Sequence, residues 1–400
     1  MSDIIPVLNG GSSSLKFSIF EIVGAQSLTL RITGQIEGLG RSPRFVAKNE
    51  KGDLLEERHW ENGGSIDVDF LFGFLVGWAT GQISGSTVRG VGHRVVHGGL
   101  EFDAPVVIDD HVVETLERLC PLAPLHLPYN LNYIRTARSM NPHIPQVACF
   151  DTAFHRDHPK MADLFALPRL YYNEGIRRYG FHGLSYEYIA RVLPEVAPEI
   201  AAGRVIVGHL GSGVSMCALK NGRSIDSTMG FTALDGLVMG TRPGALDPGV
   251  VLHLIREKNM TADDVETLLY GKCGLLGLSG ISNDMRDLES SNDPNAREAI
   301  DFFVYRASQG LGAMAAAMGG FDGIVFTAGV GENSATIRAQ ICRAAHWMGV
   351  ELDEAANEAG GPRISTADSP VSAWVIPTDE EKMMALHTLG LISQGESTAS

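Results

Sequence analysis

Cysteine is scarce and scattered. The five are Cys120, Cys149, Cys217, Cys273 and Cys342, with no C-x-x-C pair. An odd, dispersed set argues against a disulfide framework and for buried thiols in a reducing, cytoplasmic setting. Charged residues are 20% of the chain, below the usual quarter, and the positive sign is the scarcer: 32 Lys and Arg against 47 Asp and Glu, a formal net charge of −15. That balance excludes nucleic-acid and anionic-membrane partners. It also requires that any anionic ligand be met by cations placed locally. Long apolar runs are missing. Asn9 and Lys16 break the N-terminal apolar stretch too early for a signal peptide, and residues 310–320 are too few to cross a bilayer. Familiar ligand motifs are absent too. Gly271-Lys272-Cys273 fails the P-loop pattern at its last position, residues 329–334 are not G-x-G-x-x-G, and no Cys/His cluster has zinc spacing. Any metal is then a hard one such as Mg²⁺, held by few protein oxygens and by ligand phosphates.

What is present is α/β material. Hydrophobic residues are 44% and glycines number 46, enough for two domains with sizeable cores. Runs rich in Val, Ile and Phe predict strands over 4–8, 15–22, 88–96, 146–150, 205–208, 214–219, 323–328 and 371–376. Helical spacing appears at 109–119, at 261–270 behind the N-cap Thr261, and over 295–318 up to Gly319-Gly320. Strands alternating with helices indicate an α/β architecture.

One small object is written twice. Residues 4–20 (IIPVLNGGSSSLKFSIF) and 205–219 (VIVGHLGSGVSMCAL) are each an apolar run, a polar residue, a Gly/Ser turn and a second apolar run. Asn9 and His209 stand at matching places. Each turn would offer backbone N–H groups to a phosphate, with small side chains where the backbone approaches closely. Either alone reads as an ordinary hairpin; the duplication favours a ligand role and two similar α/β units. Reactive residue types also follow the strands directly: Asn9 after Leu8, Asp151 after Phe150, His209 after Gly208, Gly329-Val330-Gly331-Glu332-Asn333 after Ala328, and Thr378-Asp379-Glu380-Glu381 after Pro377, with Arg94 near the end of its own strand. Ligands of open α/β sheets gather at the carboxyl ends of strands, and this set suits a phosphate with a metal.

Eleven stretches, in order, resemble the acetate/propionate kinase family within the actin-like, sugar-kinase-like ATPases. They are NGGSSSLKF (9–17), GHRVVHGG (92–99), APLH (123–126), FDTAFH (150–155), YGFHG (179–183), HLGSG (209–213), STMGFT (227–232), MGTRPG (239–244), DMR (284–286), FTAGVGEN (326–333) and PTDEE (377–381). The resemblance implies duplicated ribonuclease-H-like α/β domains with an active-site cleft between them. The first would span 1–152 plus 384–400. The second, 153–383, would bind nucleotide and form a homodimer. It implies reversible ATP:acetate phosphotransfer giving ADP and acetyl phosphate by direct in-line transfer, with Mg²⁺ (Mn²⁺ as the alternative).

The resemblance also implies roles. Arg94 binds the substrate carboxylate, Arg242 and His182 stabilise the transferring phosphoryl group, and His126 is a further site histidine. Asp151 lies at the reaction centre and orients Mg²⁺, with Asn9 and Glu380 as metal ligands. Ser12, Ser14 and Lys16 belong to the first phosphate hairpin, and His209, Leu210, Gly211, Ser212 and Gly213 to the second. Asp284, Met285 and Arg286, with Gly329, Val330, Gly331, Glu332 and Asn333, contact nucleotide. Val96, Leu125 and Phe181 form the acyl pocket. The chemistry fits a cation-rich site: a carboxylate nucleophile is already ionised at neutral pH, so the task is to bring two anions together. A sugar kinase would instead need a base and a polar pocket, and an actin- or chaperone-like module would lack a substrate arginine. The chain departs from the family pattern at Leu127, Leu184, Tyr186, Ser212, Ala233, Pro243, Ala245 and Asp379. Ala233, where a proline lines the acyl pocket, would widen it toward propionate.

Overall fold

The computed structural model describes residues 2–11, 14–40, 42–60 and 67–398. The chain forms two compact units, one from Met1–Ala153 with Asp379–Ser400, the other from Phe154–Thr378.

The first unit holds one sheet. Its strands are β1 (Asp3–Gly10), β2 (Ser14–Gly24), β3 (Ser27–Glu37), β4 (Arg44–Asn49), β5 (Leu54–His59), β6 (Thr87–Val88), β7 (Val91–Val95), β8 (Val106–Val107) and β9 (Gln146–Phe150). The order is β5-β4-β3-β2-β1-β7-β9-β8, with β6 also on β1. Strands β1 to β5 form an antiparallel meander; β7 runs parallel to β1, and β9 parallel to β7. The run expected at 88–96 is two strands. Ile4 pairs with Val88 and Val7 with Gly92, so the partner strand gains one residue around Arg89-Gly90 and bulges. Phe17, Phe45, Leu71, Phe72 and Leu75 are core residues here, and the Phe45 ring meets Phe74 and Trp78 edge-on.

The second unit repeats the plan. Its strands are β10 (Arg204–Leu210), β11 (Val214–Lys220), β12 (Arg223–Ser227), β13 (Gly323–Thr327) and β14 (Ser372–Val375), in the order β12-β11-β10-β13-β14. A three-strand antiparallel meander passes into two parallel strands, as β3-β2-β1-β7-β9 does in the first unit. The β1–β2 and β10–β11 hairpins are equivalent, and Asn9 and His209 each sit one residue before the end of the first strand. Strands β9, β13 and β14 are buried at every residue, as parallel strands covered on both faces must be. Among the described residues no helix is long and apolar enough to cross a membrane.

Candidate active site

In the first unit the strand ends bring Asn9, Arg94, Asp151 and Glu380 together. The Arg94 guanidinium forks onto Asp151, Nε donating to Oδ1 at 2.9 Å and Nη2 to Oδ2 at 2.5 Å, while Nη1 donates to Asn9 Oδ1 at 3.2 Å. Asn9 Nδ2 in turn donates to Glu381 Oε1 at 3.2 Å. Burial alone would lower the Arg94 pKa; the carboxylates of Asp151, Glu380 and Glu381 more than reverse it. Burial pushes the Glu380 carboxyl well up, against the pull of Arg94. Three acids around one arginine thus form a site in which a further cation is favoured. Lys16 stands opposite Asn9 in the β1–β2 ladder. Gly10 is required by close approach: a Cβ there would lie 2.3 Å from the Tyr133 ring.

In the second unit the β10–β11 turn is flanked by His182 and Arg242. A Cβ on Gly213 would sit 2.9 Å from both His182 Nε2 and Arg242 Nη2, so a larger residue would push those two groups out of place. Arg242 Nη1 is anchored on the Ala233 carbonyl at 2.8 Å. His182 caps the helix Gly183–Val196 with φ 58° and ψ 25°. That left-handed conformation is strained for a side chain other than glycine, and such strain concentrates at functional sites. The backbone N–H groups that each Gly/Ser turn is expected to offer do not include its first. Gly11 N donates to Ser14 O at 2.8 Å and Gly211 N to Gly213 O at 3.1 Å, so the first amide of each turn is used within it. Ser14 stands opposite Glu37 in the β2–β3 ladder, and Ser12 lies outside the described residues.

Comparison with known proteins fits this geometry. The family model described as the acetokinase family matches residues 4–386. The acetate kinase of Nitrobacter hamburgensis is 54% identical over 397 residues, covering 99% of this chain and 98% of that protein. The acetate kinase of Rhizobium meliloti is 54% identical over 391 residues, 98% and 99% of the two chains. The chain belongs to the acetokinase family. Among solved structures, a propionate kinase from Francisella tularensis superposes with a TM-score of 0.89 at 34% identity, covering 97% of this chain and 99% of that one. The Porphyromonas gingivalis acetate kinase gives 0.86 at 35% identity, covering 98% and 100%. The two α/β units are the duplicated actin-like ATPase domains of these kinases.

The other motif residues of this acetokinase are placed as follows. Asp284 caps the helix Met285–Ser290, accepting from Arg286 N, and pairs with the exposed Arg286 side chain; Met285 is buried in the core. Residues Gly329, Val330, Gly331 and Asn333 lie in the short helix Ala328–Asn333 directly after β13. Glu332 accepts from the backbone N–H groups of Ala328 and Thr378, so its carboxylate works as a local brace. Leu210 is buried at the end of β10, and the Ser212 carbonyl accepts from Gly240 N. Val96 and Phe181 are buried and Leu125 is exposed. His126 caps the helix Leu127–Met140. Asp379, a departure from the family pattern, accepts from Lys382 N and starts the C-terminal helix.

Some site-supporting residues escaped the sequence reading. Buried Asn130 accepts from Val96 N at 3.1 Å and donates to the Gly10 carbonyl at 2.7 Å, tying the first hairpin to the Arg94 strand. Buried His155 bonds the Phe181 carbonyl at 2.9 Å, one residue before His182, and the Ser224 hydroxyl at 2.8 Å. Burial, helped by neighbouring His158, pushes the His155 pKa down to about 3; burial pushes that of His93 in β7 down to about 4. Both folded values lie below the ordinary 6.5, so the unfolded chain binds the extra protons. Stability is therefore complete above about pH 6.5 and falls on acidification, by about 1.4 kcal/mol per pH unit for each histidine, until the folded imidazoles themselves protonate. Denaturant unfolding between pH 7 and 5 checks this; for His93→Gln the slope should lose one proton's worth.

Proposed function

We propose that the chain transfers the ATP γ-phosphate reversibly to acetate, giving acetyl phosphate and ADP, in the cytoplasm. The observation that carries this reading is the Arg94 fork in a chain of this family. Asp151 and Asn9 engage three of the guanidinium N–H groups, which leaves one on each terminal nitrogen to grip a substrate carboxylate. Arg242 Nη2 and His182 Nε2, both facing Gly213, donate to the transferring phosphoryl oxygens. No base is needed, because the nucleophile is already an anion.

Mg²⁺ fits the donors. Asn9, Asp151, Glu380 and Glu381 offer only hard oxygens. Among the described residues no group of three or more His, Cys, Asp or Glu is arranged to hold a metal ion, so phosphate oxygens would complete its shell. Glu380 and Asn9 would hold it, with Asp151 orienting it. When bound, it would neutralise charge on the nucleotide phosphates. We also read the second unit as the pairing surface of a homodimer. Val250, Leu252 and Ile255 on the helix Pro248–Glu257, and Phe302 and Tyr305 on Pro294–Met318, are exposed apolar residues that support it.

Hydroxamate trapping tests the reaction. Acyl hydroxamate should form with acetate, ATP and Mg²⁺ and not with glycerol; ADP release with glycerol and no hydroxamate overturns the reading. Propionate is expected to be a fair second substrate. Ala233→Pro should raise the acetate-to-propionate ratio of kcat/KM by about 10-fold or more, the value of one methylene in a tight pocket. An unchanged ratio removes Ala233 from acyl selection.

A further inference from the structure

Two imidazoles stand against the second Gly/Ser turn, and each is anchored by a chain of hydroxyls. His182 and His209 stack with ring centroids 4.1 Å apart and planes 20° apart. His182 Nδ1 lies 2.8 Å from Ser215 Oγ, which lies 2.5 Å from the Tyr186 hydroxyl. His209 Nδ1 lies 2.8 Å from Ser185 Oγ, which lies 2.9 Å from Thr378 Oγ1. Both serines and Tyr186 are fully buried. The two Nε2 atoms point the other way. That of His182 is 2.9 Å from the place of a Cβ on Gly213, and that of His209 is 3.4 Å from the place of one on Gly211.

We infer that Ser215 with Tyr186, and Ser185 with Thr378, are positioning residues that hold both imidazoles as Nε2–H donors toward a phosphate in the β10–β11 turn. This deepens the phosphotransfer reading and rests on it. A serine hydroxyl has one hydrogen and two lone pairs. When Tyr186 donates to Ser215, Ser215 donates to His182 Nδ1, and the ring proton must sit on Nε2. If His182 takes up a second proton, both hydroxyls rotate: Nδ1–H donates to Ser215, and Ser215 donates to Tyr186. The Nε2 atom carries hydrogen in both of these states; a neutral ring with its proton on Nδ1 would suit the rotated chain too, but a phosphate in the turn only accepts and so selects Nε2–H. The Thr378–Ser185 chain does the same for His209. Stacked rings this close cannot both be cationic at small cost, so a hydroxyl chain that satisfies either charge state lets one ring stay neutral without losing its donor. Tyr186, which stands where the family pattern has histidine, supplies the outer hydroxyl for His182. It lies one helical turn on, with its N–H donating to the His182 carbonyl at 3.1 Å.

The test uses the full-length enzyme, with ¹⁵N-histidine spectra assigned through His182→Gln and His209→Gln. Above the imidazole titration, wild type should show both rings with Nδ1 unprotonated and Nε2 protonated. Ser215→Ala, which removes the donor to Nδ1, should move the His182 Nδ1 resonance toward that of an unbonded ring nitrogen. It should also lower kcat about 10- to 100-fold, the range found when the outer partner of a metal-bound imidazole is removed, with acetate KM within about twofold. Ser215→Thr, which restores the hydroxyl, should return both readouts toward wild type. Near-isosteric Tyr186→Phe should lower kcat about 2- to 10-fold. An unchanged His182 Nδ1 resonance in Ser215→Ala, a kcat within twofold of wild type, or Nδ1–H already dominant in wild type overturns the inference. Wild type that makes no acyl phosphate overturns the reaction instead, and the tautomers are then judged by the spectra alone.

Discussion

Replacing Arg242 with alanine is expected to lower kcat for acetyl phosphate formation about 10³-fold or more. An arginine on the transferring phosphoryl group accounts for roughly 10³–10⁵ in rate. Arg242 Nη1 is held by the Ala233 carbonyl, and Nη2 faces the Gly213 backbone beside His182 Nε2. Arg242→Lys should recover little, because an ammonium cannot keep the anchor and reach the phosphate together. Acetate KM should change far less than kcat if the lost contact is one made in the transition state, as proposed. Single-turnover rates and thermal unfolding of the same variants check this. A kcat within tenfold of wild type in a folded Arg242→Ala protein removes the residue from that role.

The second large effect concerns Arg94, where function and stability are entangled. Asp151 is 2% exposed and Arg94 21% at their side chains, so the pair is mostly removed from water. Arg94→Met should destabilise the first unit by about 3 kcal/mol, the low end for breaking a buried pair, because a carboxylate is left without its partner. Activity with acetate should vanish as well. Arg94→Met combined with Asp151→Asn should recover most of the stability, since a neutral amide tolerates burial better, yet none of the activity. Guanidinium unfolding and the hydroxamate assay separate the two. Recovery of activity in the double variant would show that Arg94 serves only to neutralise Asp151.

Much of this arrangement was legible in the sequence because strand ends leave a local signature. The span predicted at 146–150 is β9 to the residue, and the twin hairpins appear where the Gly/Ser turns place them, because apolar run, polar residue and turn are all contiguous in the chain. The meander was not legible. Strand β5 is LLEERH, exposed along nearly its whole length, with Arg44 and His59 paired to Glu57. An edge strand that faces water on both sides has no alternation to read, and its charges guard the edge. The Arg94 fork was hidden for another reason. Asp151 is 57 residues away in sequence, and parallel pairing of β7 with β9, not spacing, sets Arg94 opposite Cys149, two residues before Asp151. Asn130, Ser215 and His155 are likewise ordinary polar residues in apolar or helical stretches; only a tertiary backbone gives them partners.

The first unit is closed by the last segment of the chain. The helix Glu380–Thr398 packs on β1, β7 and β9, and a side chain at Gly92 would collide with its Thr388. It also delivers Glu380. During synthesis, at about 5–20 residues per second, the opening strands therefore wait tens of seconds for the piece that seals them, and the whole inserted half is made before it. Loss of a C-terminal stretch would thus leave a cluster of acids short of one member and a sheet with an uncovered face, a natural handle for proteolytic quality control.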